Sequence, residues 1–323
     1  MKFVRTFRGW RKILPALLFI LTVPAYGVTT KELLAAGRAD EAIQSLQERI
    51  HHSASDAESS NLLCRAYFML EEWDRGIDAC ERAKRLDPQV SLYELWLGRI
   101  YGEKADRAGF LSAAGLAKKV RTSFERAVEL DPRSWEARTD LAEFYLEAPS
   151  IVGGGKDKAR EQAEAIRPLN PAMAHWVIAR IAEKNKDNEA AEREYREEIA
   201  ASHSESRAWL DLAIFFRHTN RFGEMEEALR KMESSPVDRP ESLMDGASLL
   251  LRTGRDFPMA VRLLRRYLSS PVEEGPAFKA HDMLGQLLEK QGDHQGAVEE
   301  FRASLSLAHT YSRAQEDLKR AER

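Results

Sequence analysis

Residues 150–164 read SIVGGGKDKAREQAE: three glycines run into a lysine and then into a helical pattern. That composition suggests a phosphate cradle. Such a loop uses glycines to bring backbone N–H groups onto the anion, a lysine for the outer phosphates and a hydroxyl for magnesium. Here the position after Gly155-Lys156 holds Asp157 instead of a hydroxyl, and Ser150 stands where the first glycine belongs. The preceding TDLAEFYLEA reads as a helix, not a strand. The stretch is therefore a structural loop in which Pro149 stops one helix, the glycines turn the chain, and Lys156 or Asp157 starts the next. What survives of the anion reading is the set of N–H groups at that helix start. It makes Gly154, Gly155 and Lys156 candidate anion contacts.

The other chemistry-bearing residues form no known constellation. There is no H-E-x-x-H and no Cys-x-x-Cys, and the adjacent His51 and His52 point apart on a helix. His175, His281 and His294 fall where they face neighbouring helices or turns. No glycine-framed nucleophile occurs. The sequence thus predicts no metal, no cofactor and no catalysis.

The chain has 323 residues, is 43% hydrophobic and 31% charged, and carries only 18 Gly and 12 Pro, so it reads as all-helical with a sizeable core. Residues 1–27 stand apart. Lys2, Arg5, Arg8, Arg11 and Lys12 form a basic start, Ile13 to Val23 an apolar run, and Ala25-Tyr26-Gly27 a small-residue exit. This is the pattern of a signal peptide. The 11-residue run is short of the roughly 20 residues that span a bilayer. Cleavage after Gly27 would remove five bases and no acid, taking the formal net charge from -3 to -8. An acidic product argues against nucleic acid as the partner. It is expected to be periplasmic or secreted, without stable membrane insertion. The alternative is an uncleaved signal anchor that tethers an envelope assembly factor.

What positions any site is a repeat. KRLDPQVSLYELWLGRIY (84–101) and VELDPRSWEARTDLAEFY (128–145) resemble each other, and RPLNPAMAHWVIARIA (167–182) is a weaker copy. Pro88, Pro132 and Pro171 are spaced by 44 and 39, a unit of 34 with insertions of 10 and 5. Ala42 and Gly76, and again Ala191 and Met225, are 34 apart. Gly98, Ala142, Ala179, Ala213, Ala247 and Gly285 supply the small residue that two close helices require. Leu97-Gly98-Arg99-Ile100-Tyr101 with Phe124, Ala127 and Pro132, and Leu284, Gly285, Ala297 and Phe301 near the C-terminus, carry the best matches.

On these residues the chain resembles the tetratricopeptide repeat (TPR) family. FYLEAPSIVGGGKDKA looks like a segment of some exported bacterial members. The resemblance implies an α-solenoid, a superhelix of stacked antiparallel helix hairpins, because one hairpin cannot bury its apolar stripe alone. The organisation expected is a signal peptide (1–27), an array of about seven to eight units (28–311) and a capping helix (312–323) held mainly by Leu318. The insertions fall near 102–120, with Phe110 and Leu111 at the tip, and near 149–157.

The register places Cys64 at a small-residue site and Cys80 about level with it on the partner helix. Two readings stay open: a disulfide, or two slim core thiols. The first helices of such hairpins line the concave face. There the register sets Asn61, Arg65, Phe68, Met69, Arg99, Glu103, Thr139, Glu143, Trp176, Arg180, Leu210 and Arg217. Arg65, Arg99 and Arg180 hold equivalent places. Either they form a ladder that grips carboxylates of an extended peptide, or they pair with Glu103, Glu143 and Glu183. The function expected is an exported scaffold or adaptor that binds a protein or peptide partner in its groove.

Overall fold

The computed structural model describes residues 28–270 and 275–323. Residues 1–27, with the signal-peptide expectation, lie outside the described residues, as do the side chains of Phe110 and Leu111. Among the described residues the regular structure is helical: seventeen α-helices and one 3-10 turn. They pair as antiparallel hairpins. The first is α1 (Thr30–Ala35) with α2 (Ala39–His52), followed by α3 (Ala57–Met69) with α4 (Trp73–Leu86) and α5 (Ser91–Asp106) with α6 (Phe110–Leu130). Next come α7 (Trp135–Glu147) with α8 (Lys156–Ile166), and α9 (Pro171–Lys184) with α10 (Asn188–Ala201). The array ends with α11 (Ser206–His218) and α12 (Phe222–Ser234), α13 (Glu241–Thr253) and α14 (Phe257–Ser269), and α15 (Ala277–Lys290) and α16 (His294–Leu307). Finally, α17 (Ser312–Ala321) packs on α16 and α15. The fold is an all-α solenoid.

Local chemistry explains the units. Asp56, Ser134, Asn170, Asp187 and Asp293 accept N–H groups in the first turns of α3, α7, α9, α10 and α16. Within six hairpins the short turn uses a residue at positive φ: Gly37, Glu71, Lys186, Asn220, Gly254 (with Asp256 in the same turn) and Gly292. The small residues lie where helices touch. A Cβ at Gly98 would overlap the Phe124 ring, and one at Gly285 the Phe301 ring. Each such buried ring is worth roughly 2–3 kcal/mol of apolar transfer. The result is one apolar core running from Cys64 to Leu287. Cys64 and Cys80 are joined by a disulfide across the second hairpin, with Cα atoms 5.2 Å apart.

A second core joins the two ends. Leu34, Leu46, Met69 and Leu70 pack with Phe278, Ala308, Tyr311 and Ala314. The Gly275 N–H donates to the Leu34 carbonyl at 3.2 Å. A Cβ on Gly37 would overlap Ala277. Lys279 pairs with Glu71 at 2.8 Å, and the His309 N–H donates to Asp40 at 2.7 Å. The superhelix therefore closes on itself as a ring. Leu318 is not the main buried contact of α17: Ala314 and Asp317 are the buried residues there. Helix α17 meets a ring seam as well as its own hairpin, which turns a different stripe inward.

Candidate partner-binding pocket on the inner face

The two hairpins with insertions depart from this short turn. In the third, the ten extra residues lengthen both helices, so α5 has 16 residues and α6 has 21. In the fourth, the chain leaves α7, makes a 3-10 turn at Ser150–Val152, and enters α8 through the glycines. Arg121 of α6 donates to the Val152 carbonyl at 3.2 Å, fastening this loop to the extended helix. Gly153 has φ +105°, and a Cβ there would strike Arg121. A Cβ on Gly154 would overlap the Ala148 carbonyl.

The groups expected to contact an anion, on Gly154, Gly155 and Lys156, have partners within the chain. The Gly153 N–H donates to Ser150, the Gly154 N–H to Pro149 and the Gly155 N–H to the Tyr145 carbonyl at 2.8 Å. Lys156 reaches Asn185 Oδ1 at 2.6 Å, and Lys158 the Gly153 carbonyl at 3.1 Å. The N–H groups of the three glycines are engaged in holding the loop's shape.

What the two insertions build is a cavity of ≈ 820 Å³. Ala113, Ala114, Ala117, Val120 and Phe124 of α6 form one wall, and Phe144, Pro149, Ile151 and Val152 another. Phe68 of α3 also lines it. Ile151 stands on the lip, 89% exposed. The polar lining is Arg99, Glu103, Asp106, Asp140, Glu143 and Glu147, five acids against one base.

The arginines are already engaged. Arg99 Nε donates to Asp140 at 2.6 Å and its guanidinium lies 5.0 Å from the Trp96 ring. Arg65 stacks on the same ring at 4.8 Å. Arg180 donates to Glu147 at 2.7 Å and stacks on Trp176 at 5.6 Å. Of the acids expected as partners, Glu103, Glu143 and Glu183, none takes these two arginines: Arg99 pairs with Asp140 and Arg180 with Glu147. Glu183 instead meets His218 at 3.1 Å and accepts from Tyr195.

Of the expected groove set, Phe68, Arg99, Glu103 and Glu143 come together in the cavity. Arg65, Arg180 and Arg217 are half-buried and lie outside its lining. Asn61, Met69, Thr139, Trp176 and Leu210 are buried and present no partner surface. Met69 belongs to the ring seam. Thr139, Trp176 and Leu210 each sit three residues before the small contact residue, a position turned toward neighbouring helices. Asp106, Asp140, Glu147 and Ile151 were not anticipated; their part depends on a neighbouring hairpin.

The acids feel one another. Glu143 is open to solvent yet crowded by protein inside the ring. That loss of bulk water raises its pKa; Arg180 opposes, and Asp140, Glu147 and Asp211 add to the rise. Partial burial and then Glu103 likewise raise Asp106, against Arg107. Further round the ring, crowding pushes Asp245 up to about 6, although Arg239 and Arg252 pull it down. Glu198 is only 1% exposed and lies in the field of Asp211. Asp211 Oδ2 lies 3.5 Å from Arg207 Nε. Burial and then the Asp211 charge hold Glu198 well above the carboxylate range, against Arg207.

Among the described residues no group of His, Cys, Asp and Glu could hold a metal ion, and no helix is long and apolar enough to cross a membrane.

No curated protein matches the chain. Among solved structures, yeast Tom70 is 15% identical, with a TM-score of 0.55 over 96% of this chain and 66% of that one. A thermophilic TPR protein from Thermus thermophilus is 15% identical, with a TM-score of 0.49 over 58% of this chain and 95% of that one. A tetratricopeptide repeat protein from Parabacteroides merdae is 12% identical, with a TM-score of 0.44 over 91% and 99%. At such identities the likeness to Tom70 concerns the fold alone. The tetratricopeptide repeat profile matches residues 31–91, 177–238 and 245–315, more than half of the sequence. With that coverage and this hairpin array, the chain belongs to the tetratricopeptide repeat family.

Proposed function

We propose that the chain is an exported scaffold that binds a peptide or protein partner, rather than nucleic acid, on the inner face of its ring and performs no catalysis. One observation carries this reading. Two insertions that the hairpin array does not need combine to build a ≈ 820 Å³ cavity, within the roughly 300–1,000 Å³ range of ligand sites. Export is supported by the Cys64–Cys80 bond, because disulfides persist in oxidising compartments. The basic and apolar segments of residues 1–27 agree with that placement.

A photo-crosslinking side chain at position 151, on the lip, tests the binding site in cells. A discrete partner band at 151, missing when the crosslinker is moved to position 86 on α4, is the expected result. Equal labelling at both positions, or none at either, removes the pocket from the reading. Mass spectrometry of the N-terminus tests export separately: a chain starting at residue 28 is expected, and one starting at Met1 favours the tethered alternative.

A further inference from the structure

We propose that the insertion pocket receives a lysine or arginine side chain of the partner, flanked by an apolar residue. This rests on the scaffold reading and adds the chemistry of the bound segment. One of the two readings of the arginines is a grip on an acidic peptide; the lining of the pocket favours the opposite polarity. Arg99 is engaged by Asp140 and Arg180 by Glu147. Glu143 and Asp106 form no ion pair of their own among the described residues, and both line the cavity. Loss of bulk water raises both carboxyls; at Glu143 Arg180 opposes and Asp140 and Glu147 add, and at Asp106 Glu103 adds while Arg107 opposes. With five acids to one base in its lining, the pocket carries an excess of negative charge.

Its shape selects among cations. A compact hydrated ion has no use for an alanine-faced wall. A lysine or arginine has a long aliphatic stem and a charged head, and such chains lay the stem on apolar surface while the head reaches polar ground. Ala113 and Ala117 offer the stem its surface, and Glu143 and Asp106 offer the head its counter-charge. Ile151, exposed at the lip, meets the next apolar residue of the segment. The cavity is larger than one side chain, which leaves room for that neighbour.

Fluorescence anisotropy of the purified protein with four labelled, acetylated hexapeptides tests this. The peptides alternate Leu with Lys, Arg, Gln or Glu. The Lys and Arg peptides are expected to bind, and to weaken as salt rises. The double variant Glu143→Gln/Asp106→Asn is expected to lose about tenfold in affinity for them. The matched variant Glu227→Gln/Glu316→Gln, which removes two exposed acids elsewhere, is expected to change little. Because the two pocket acids are solvent-exposed, circular dichroism of that variant should match the parent. Equal losses in both variants would reduce the binding to general attraction and overturn the proposal. Tighter binding of the Glu peptide, lost in Arg180→Gln, would overturn it while leaving the scaffold reading intact. Silence from all four peptides also overturns it, and the crosslink at position 151 then decides the scaffold reading alone.

Discussion

The ring has two kinds of interface, and they are built differently. Along the array a small residue meets a ring inside a hairpin, as Gly98 of α5 meets Phe124 of α6 and Gly285 of α15 meets Phe301 of α16, and the hairpins share one continuous apolar core. At the closing seam the apolar cluster is separate and smaller, and charge surrounds it. Glu71 gathers Lys279 at 2.8 Å, Arg107 at 3.5 Å and Arg313 at 4.0 Å, while Asp40 takes His309. The first kind follows from the repeat and is renewed every unit. The second occurs once and must be written into residues the repeat leaves free. An interface renewed along the chain is redundant; one made once is a place where the ring can open.

The largest expected contrast comes from two phenylalanines, both fully buried: Phe215 in the array and Phe278 at the seam. Either change to alanine costs roughly 3–5 kcal/mol locally. Phe215→Ala should lower the urea midpoint of the whole molecule. Phe278→Ala should instead speed hydrogen exchange in α1, α2 and α17 and raise the radius of gyration. A matching fall in the global midpoint for both would show that the seam is no separate unit.

Reducing the Cys64–Cys80 bond comes next. The bond spans 16 residues, so its loss should cost about 3 kcal/mol on the chain-entropy account. The loosened hairpin, α3 with α4, carries both Met69 and Glu71 of the seam. Urea melts with and without reductant measure the cost. An unchanged melt would mean that packing alone holds the hairpin.

A smaller effect is expected from pH, with opposite signs on the two sides of the seam. Burial raises the Glu71 pKa, but Lys279, Arg313 and Arg107 together more than offset this, so it lies below the ordinary 4.5. Its contribution is present above 4.5 and is lost as pH falls through the lowered value. Asp282, behind the seam between α15 and α17, is pushed up from 3.8 to about 7, first by burial and then by Asp317. Its contribution is full below 3.8 and is lost as pH rises through about 7. Exchange in α17 should therefore be slowest in the acidic range between these limits. Asp282→Asn should flatten the alkaline side while leaving the acidic side as it was.

The smallest effect belongs to Lys279→Met. The pair with Glu71 is partly exposed, so its loss should cost about 1 kcal/mol or less and should fade with salt. A cost several-fold larger in thermal melts would assign the seam's strength to charge instead of its apolar cluster.

The array was legible because its signal is local and repeated. Gly98, Ala142, Ala179, Ala213, Ala247 and Gly285 mark helix contacts, and the structure buries all of them. The site was legible only in part. A register tells which helix a residue sits on and roughly which way it faces. It does not tell that Arg99 finds Asp140 on the next hairpin, since that depends on the offset between two units. The same limit misplaced Thr139, Trp176 and Leu210, which lie one face round from the groove. Closure left no mark that a local pattern could carry. Phe278 and Tyr311 look like ordinary core residues until the twist summed over the whole array brings them to Leu34 and Met69.

Closure also places a limit on how such a protein can evolve. An open row of hairpins tolerates gain or loss of a unit by duplication or deletion, because only nearest neighbours notice. Here the Gly275 N–H must arrive at the Leu34 carbonyl, and one hairpin more or fewer would carry it past or leave it short. The copy number of the repeat is thereby fixed by geometry, and length changes are confined to loops, such as the two that depart from the 34-residue period.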